Sequence, residues 1–182
     1  KDLPIMSVTQ SNVITRHLRG QRQTRRFTDE PVPKDVITDI LEVARWTGSW
    51  KNDQPWHFVV VTDAETRKAL AEVGPHAAFL EGAPCVVVVV LDGENPRGEP
   101  FDEGRVSERI MLAASAHGLG AGTGWFAPGD GEAKAREILG IPEGKVVRQA
   151  IGIGRPQPGR QSSGGGRKPL DEIVSWESWS AS

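Results

Sequence analysis

The sequence predicts one layered domain in which strands and helices share a core, of the α/β or α+β type. Three observations carry this. The 182 residues fall within the usual span of one domain, about 100–200 residues. Two amphipathic helical patterns occur, over 34–46 and 102–117. Between them lies Ala83-Pro84-Cys85-Val86-Val87-Val88-Val89-Val90-Leu91, an apolar run with the length of a strand buried on both faces.

The elements follow in order. Val8, Val13, Ile14 and Leu18 stand at mostly helical spacing, and Gly20 supplies a stop, so a helix is expected over 8–20. The basic segment Arg22-Gln23-Thr24-Arg25-Arg26-Phe27 comes next, then Pro31-Val32-Pro33. The helix at 34–46 places Val36, Ile37, Ile40, Leu41, Val43 and Ala44 on its apolar face. A polar, turn-rich loop over 48–56 runs into a strand at 57–62. Asp63 is the expected N-cap of a helix at 64–73, which Gly74-Pro75 ends. The buried strand occupies 84–91, and 92–100 is a polar turn rich in Gly and Pro.

The helix at 102–117 buries Val106, Ile110, Met111, Ala113, Ala114 and Ala116. After it, Gly118 is read as a helix cap, and Gly120, Gly122 and Gly124 as a crowded place where backbone approaches a ligand or another helix. A short helix over 131–139 ends at Gly140, and a strand spans 145–153. The stretch 155–182 has few core residues of its own, includes the flexible run Ser162 to Gly166, and has a short element near 169–176. Trp176 and Trp179 give it something to dock, a second subunit being one reading and a frayed end the other. One domain is expected over 1–182, with 155–182 as an extended C-terminal arm.

Composition excludes several classes. With 22 basic against 24 acidic residues and a net charge near -2, no dedicated nucleic-acid face is expected. The longest apolar run falls far short of the roughly 20 residues that span a bilayer. Cys85 is the single cysteine, so no intrachain disulfide forms, and a buried structural thiol is expected. No signal peptide is visible, the chain opens on Lys1 as a trimmed or processed form would, and a cytoplasmic location is expected. His17, His57, His76 and His117 are scattered without metal-ligand spacing, so no metal site is expected.

No GxSxG or Walker A motif occurs. The glycine run follows a helix, whereas a dinucleotide fingerprint needs a strand before its glycines and a helix after them. What remains is a pair of cationic sites and two unusual loops. Arg19, Arg22, Arg25 and Arg26 form one cluster, and Arg167-Lys168 another. Arginine suits phosphate because its planar fork makes two parallel hydrogen bonds. Together with the polar loop at 48–56 and the Gly/Trp segment at 118–126, they can surround one anionic, planar cofactor.

These segments resemble the nitroreductase superfamily of FMN-dependent oxidoreductases. The family's Arg-Arg-Ser-x-Arg-x-Phe pattern is met by Gln21-Arg22-Gln23-Thr24-Arg25-Arg26-Phe27, with Gln21 and Gln23 as departures. Its Pro-Ser-x-x-Asn-x-Gln-Pro-Trp pattern is met by Gly48-Ser49-Trp50-Lys51-Asn52-Asp53-Gln54-Pro55-Trp56, with Gly48 in place of the proline. Gly118-Leu119-Gly120 followed by Thr123-Gly124-Trp125 is similar to a third family phrase, and Arg167-Lys168-Pro169-Leu170-Asp171-Glu172-Ile173-Val174 to its C-terminal ending.

The resemblance implies an α+β fold with a central, mainly antiparallel sheet flanked by helices. It implies a homodimer whose C-terminal arm lies on the partner and whose two FMN sites lie at the interface. Arg22, Gln23 and Arg25 are then expected on the phosphate, ribityl or pyrimidine parts of the flavin, and Arg167 on the phosphate. Gly48, Ser49, Trp50 and Asn52 are expected from the partner's loop, and Thr123, Gly124 and Trp125 along the other side of the ring. FMN carries the chemistry, so no catalytic side chain is expected. The implied reaction takes hydride from NAD(P)H to a small electron-poor acceptor, nitroaromatic or quinone-like, by a ping-pong mechanism. Reductive dehalogenation, reduction of an unsaturated bond, oxygen-dependent breakdown of the flavin, and plain flavin binding without catalysis are the alternatives.

Overall fold

The computed structural model describes residues 12–159 and 166–179. Val8, and Ser162 to Gly165 of the expected flexible run, lie outside the described residues. In chain order the elements are α1 (Asn12–Gly20), α2 (Lys34–Arg45), β1 (Trp56–Val61), α3 (Ala64–Ala71), β2 (Cys85–Leu91), α4 (Glu99–Ala116), β3 (Gly120–Trp125), α5 (Asp130–Leu139) and β4 (Gln149–Gly154). Short 3₁₀ turns occupy Trp50–Asn52, Ala78–Leu80 and Leu170–Glu172.

The four strands form one sheet in the order β1-β2-β4-β3. All three pairings are antiparallel, with Val88 facing Val59 on one side and Ala150 on the other. This is the α+β arrangement that the resemblance implies. Helices cover both faces. Val87, Val89, Leu91, Ile151 and Ile153 pack with Ile37, Ile40 and Ala44 of α2 and Val106, Ile110 and Ala114 of α4. On the opposite face Val86, Val88, Val90 and Ala150 pack with Leu70, Leu80 and Ala135. Antiparallel sheets commonly leave one face wet and read as alternating sequence. Here β2 is buried at every position, which is why it reads as an unbroken apolar run. Cys85 sits at its start, fully buried, and burial pushes its thiol up to about 12.

Local signals explain the helix ends. Asp63 Oδ2 accepts from the Thr66 N–H at 2.9 Å and opens α3 as its N-cap. Gly140 closes α5 with φ 63°, a left-handed cap that favours glycine. Helix α4 begins at Glu99, three residues before the expected 102. Pro100 is tolerated there because first-turn N–H groups have no intrahelical acceptor. The Glu99 carboxylate also accepts from the N–H groups of Gly93, Glu94 and Asn95 at 2.9–3.0 Å, folding the preceding turn onto the helix.

Several expectations are corrected, among them the burial of Ala116, which is exposed at the end of α4. The Gly/Trp segment expected as a loop is a strand, because Gly120–Trp125 is itself β3. Val43 is not buried on α2 but is 39% exposed, next to the exposed Trp46. Likewise the apolar face of α1 is uncovered, with Val13 79% exposed and Ile14 and Leu18 also open to solvent.

Candidate functional site

The glycines of β3 serve a neighbouring backbone. Residues 22–27 run along the free edge of β3, with Gln23 bridged in parallel to Ala121. The Thr24 N–H donates to Ala121 O at 2.8 Å. A Cβ on Gly122 would lie 2.2 Å from Thr24 O, and one on Gly120 would lie 2.4 Å from Thr24 Oγ1. The second clamp is a side chain, because Gln23 Oε1 accepts from the Thr123 N–H at 2.7 Å. Further along, Phe27 is buried against Phe79, and Gln157 N–H donates to Arg26 O at 3.0 Å.

This edge segment presents donors. Arg22 and Arg25 are exposed on either side of half-buried Gln23. Arg22 Nη1 is spent on the carbonyls of Arg19 and Gln21, closing the end of α1. Arg25 rests its guanidinium over the Phe79 ring, 5.8 Å from the centroid. With one lone pair of its oxygen engaged by Thr123, Gln23 still offers its amide N–H groups. The set therefore consists of two cations and an amide donor on a fixed backbone. It fits the acceptors of FMN, namely phosphate oxygens and pyrimidine carbonyls.

Behind the segment, Thr123, Gly124 and Trp125 separate by face. The Thr123 hydroxyl is buried against Met111, with Oγ1 3.8 Å from Sδ, so its side chain serves packing. Gly124 lies against Leu80 on the opposite face. Trp125 is half exposed and shares the α4 side of the sheet with Thr123.

The loop at 48–54 has a different anchor. Lys51, Asn52 and Gln54 all have positive φ, at 48°, 61° and 51°. Such backbone costs about 1–2 kcal/mol at residues other than glycine, less at Asn. Ser49 Oγ accepts from the Gln54 N–H at 2.8 Å, and the Asp53 N–H donates to Trp50 O at 2.9 Å, closing the loop on itself. The Trp50 N–H donates to Asp102 Oδ2 at 3.0 Å, tying the loop to α4. Gly48 sits beside Arg105, and together with Thr47, Phe101, Glu108 and Arg109 they line a cleft of about 570 Å³. Trp50 and Asn52 are exposed.

The structure thus brings Arg22, Gln23 and Arg25 together with β3, and holds Gly48, Ser49, Trp50 and Asn52 as a second group on α4. Arg167 is exposed on the described tail, outside the hydrogen bonds that assemble either group.

Sequence reasoning misses the carboxylates of α4. Asp102 and Glu103 are each 3% exposed. Their signal was an acidic helix start, which ordinarily reads as a match to the helix dipole. Glu103 Oε2 accepts from Arg148 Nη1 at 3.1 Å, while Oε1 is buried with no hydrogen-bond partner within reach among the described residues. Burial raises the Glu103 carboxyl above its ordinary value of 4.5, against the opposing pull of Arg148. The folded protein therefore holds this proton more tightly than the unfolded chain does. The resulting stability is complete below the ordinary carboxyl value and is lost as pH rises through the folded one. Glu103→Gln cannot ionise, so its melting temperature relative to the parent should become more favourable between pH 4.5 and 7. Thermal melts at both pH values check this, and a constant difference would contradict it.

Among the described residues, no helix is long and apolar enough to cross a membrane. No group of three or more His, Cys, Asp or Glu among them could hold a metal ion.

Comparison with known proteins converges on one family. The model of the Nitroreductase family matches residues 18–78, which contain both the basic edge segment and the loop on α4. A protein of Archaeoglobus fulgidus, provisionally named an NADH dehydrogenase/NAD(P)H nitroreductase, is 34% identical over 75% of this chain and 82% of its own. An NADH dehydrogenase of Thermus thermophilus is 29% identical over 86% of this chain and 92% of its own. Among solved structures, an FMN-dependent nitroreductase from Clostridium difficile matches with a TM-score of 0.80 at 24% identity, over 90% of this chain and 98% of that one. That likeness is one of fold. Through its relatives in sequence, this chain belongs to the nitroreductase family.

Proposed function

We propose that the chain is an FMN-dependent oxidoreductase that passes hydride from NAD(P)H to a small electron-poor acceptor, a nitroaromatic or a quinone. It acts as a cytoplasmic homodimer of single-domain subunits. The observation that carries this reading is the clamped edge segment, on which exposed Arg22 and Arg25 flank the Gln23 amide. Membership of the family, and relatives named for NAD(P)H, support the reductant.

When bound, FMN supplies the hydride exchange, which no side chain of the protein can perform. The residues bind, orient and shield. Arg22 and Arg167 neutralise the phosphate, and Gln23 donates its amide N–H to the pyrimidine edge. Arg25 holds positive charge beside the same edge. The β3 backbone at Thr123, Gly124 and Trp125 backs the ring. Gly48, Ser49, Trp50 and Asn52 of a second copy close over it, with the Trp50 ring keeping water out. Reductant and acceptor take turns in one space, which gives ping-pong kinetics.

The second copy is supported by uncovered apolar surface. Trp176 is 84% and Trp179 is 90% exposed on the tail, and α1 has an open apolar face of its own. Such surface normally marks a contact between proteins. Changing Trp176 and Trp179 together to Ser should shift the protein toward monomer and weaken flavin retention severalfold. Sedimentation of the variant checks this, and an undiminished dimer would remove the tail from the interface.

The function is tested by colour. Purified protein given FMN should gain a flavin absorbance band, lose it anaerobically with NADH or NADPH, and recover it with a nitroaromatic or quinone. Protein that never takes up FMN sinks the reading. Bound flavin that neither nicotinamide bleaches would make the protein a flavin binder instead.

A further inference from the structure

Asp102 has a role that its place in an acidic helix start conceals. Among the described residues, its bond to the Trp50 N–H is the only hydrogen bond that ties residues 48–54 to the rest of the chain. The other bonds of the loop, from the Gln54 N–H to Ser49 Oγ, the Gln54 amide to Asn52 O, the Asn52 N–H to Ser49 O and the Asp53 N–H to Trp50 O, close it on itself and travel with it. They define the shape of the loop but not its place.

The anchor is suited to that task. The Asp102 side chain is 4% exposed, so water competes poorly for its oxygens. Oδ2 takes the Trp50 N–H at 3.0 Å, and Oδ1 faces Arg105 Nη1 at 3.3 Å. A buried carboxylate holding a backbone N–H makes a strong, directional bond, because the charge assists it. Arg105 is mostly exposed, so it balances the charge from the solvent side while the other oxygen points inward. The carboxylate also grips the residue just before Lys51 and Asn52, where the backbone turns left-handed. Any drift of Trp50 is passed directly to those two positions.

We infer that Asp102 is a positioning residue: it fixes the strained 48–54 loop on α4 and so sets where Trp50 and Asn52 meet the flavin site. This rests on the proposed role of the loop in FMN binding. It adds that one buried carboxylate of α4 holds residues 48–54 in place, beyond the bond from the Asp92 N–H to Pro55 O where the loop ends.

The test uses Asp102→Ala and Asp102→Asn in the full chain, with two readouts. The first is amide hydrogen exchange of residues 48–54 without flavin. Asp102→Ala should speed exchange there, while β2 and β4 keep their protection. The second is affinity for FMN and the acceptor kcat/KM. A lost charge-assisted bond to a buried group corresponds to a loss of roughly 10–100-fold, expected for Asp102→Ala in FMN affinity or in kcat/KM. Asp102→Asn keeps an oxygen for the Trp50 N–H and should recover most of that loss, which also guards against an alanine variant that fails to fold.

Unchanged exchange in the loop overturns the inference, whether or not FMN binds. Faster exchange with flavin affinity and kcat/KM both intact overturns the link to the site. An equal loss in Asp102→Asn and Asp102→Ala also overturns it, because the Trp50 bond would then not be what matters. Failure of the parent protein to bind FMN refutes the proposed function alone, and the exchange result still decides the anchor.

Discussion

Gly122→Ala should destabilise the protein by roughly 2–5 kcal/mol and abolish tight flavin binding. The added methyl would sit 2.2 Å from Thr24 O. That atom belongs to a backbone and cannot swing aside as a side-chain end could. Relief requires residues 23–24 to leave the edge of β3. Leaving breaks the Thr24 N–H to Ala121 O bond and the Thr123 N–H to Gln23 Oε1 bond together. Arg22, Gln23 and Arg25 then lose their fixed backbone and stop acting as one donor set. Gly118→Ala is the control from the same glycine run. Its φ is +73°, but no atom lies within 4 Å of the new Cβ. The strain there is about 1–2 kcal/mol, and flavin affinity should hold. Chemical denaturation and flavin titration of both variants check this. Equal flavin affinity in the two would show that the clamp does not organise the site.

Ile151→Ala should cost about 2–5 kcal/mol, the range for truncating a fully buried aliphatic side chain. Ile151 is 0% exposed in the middle of β4 and packs against the helices of the α2/α4 face. Strands β2 and β3 flank it on both sides, with Val87 and Thr123 as its register partners. Collapse into the space is therefore resisted by the sheet itself. In a domain of this size the melting temperature should fall by roughly 2–4 °C for each kcal/mol. Val60→Ala removes less apolar volume from the edge strand β1, at a site 38% exposed, and should shift it much less. A matching loss in the two variants would mean that the core is not centred on β4.

The parts of the fold that could be read in the sequence are those where one element decides its own state. The valine run of β2, the Asp63 cap of α3 and the Gly140 stop of α5 all depend on near neighbours. The glycine run was misread because glycine is a poor strand former. A clue was present: glycine recurs at every second position from 118 to 124, and that period matches one face of a strand. What forbids side chains at Gly120 and Gly122 is Thr24, nearly a hundred residues earlier in the chain, and the edge pairing that brings it close has no local signature. The Asp102 anchor was hidden for the same reason. It joins residues 52 apart, and only the fold makes them neighbours. The site residues were legible as types, cations and amides in two loops. How their bonding capacity is divided was not, since Gln23 gives its oxygen to β3 and Ser49 gives its oxygen to its own loop.

The left-handed backbone of the loop also bears on how this protein can change over generations. At Lys51 and Gln54 the chain holds a shape that neither residue favours, so almost any substitution to glycine or asparagine there relaxes the backbone. Drift in that direction meets little resistance from folding. The Gln54 side chain also donates to Asn52 O within the loop at 3.3 Å, so position 54 serves the shape of the loop as well as what the loop presents. Lys51→Gly should therefore raise the melting temperature by about 2–4 °C, whereas Lys51→Val should lower it.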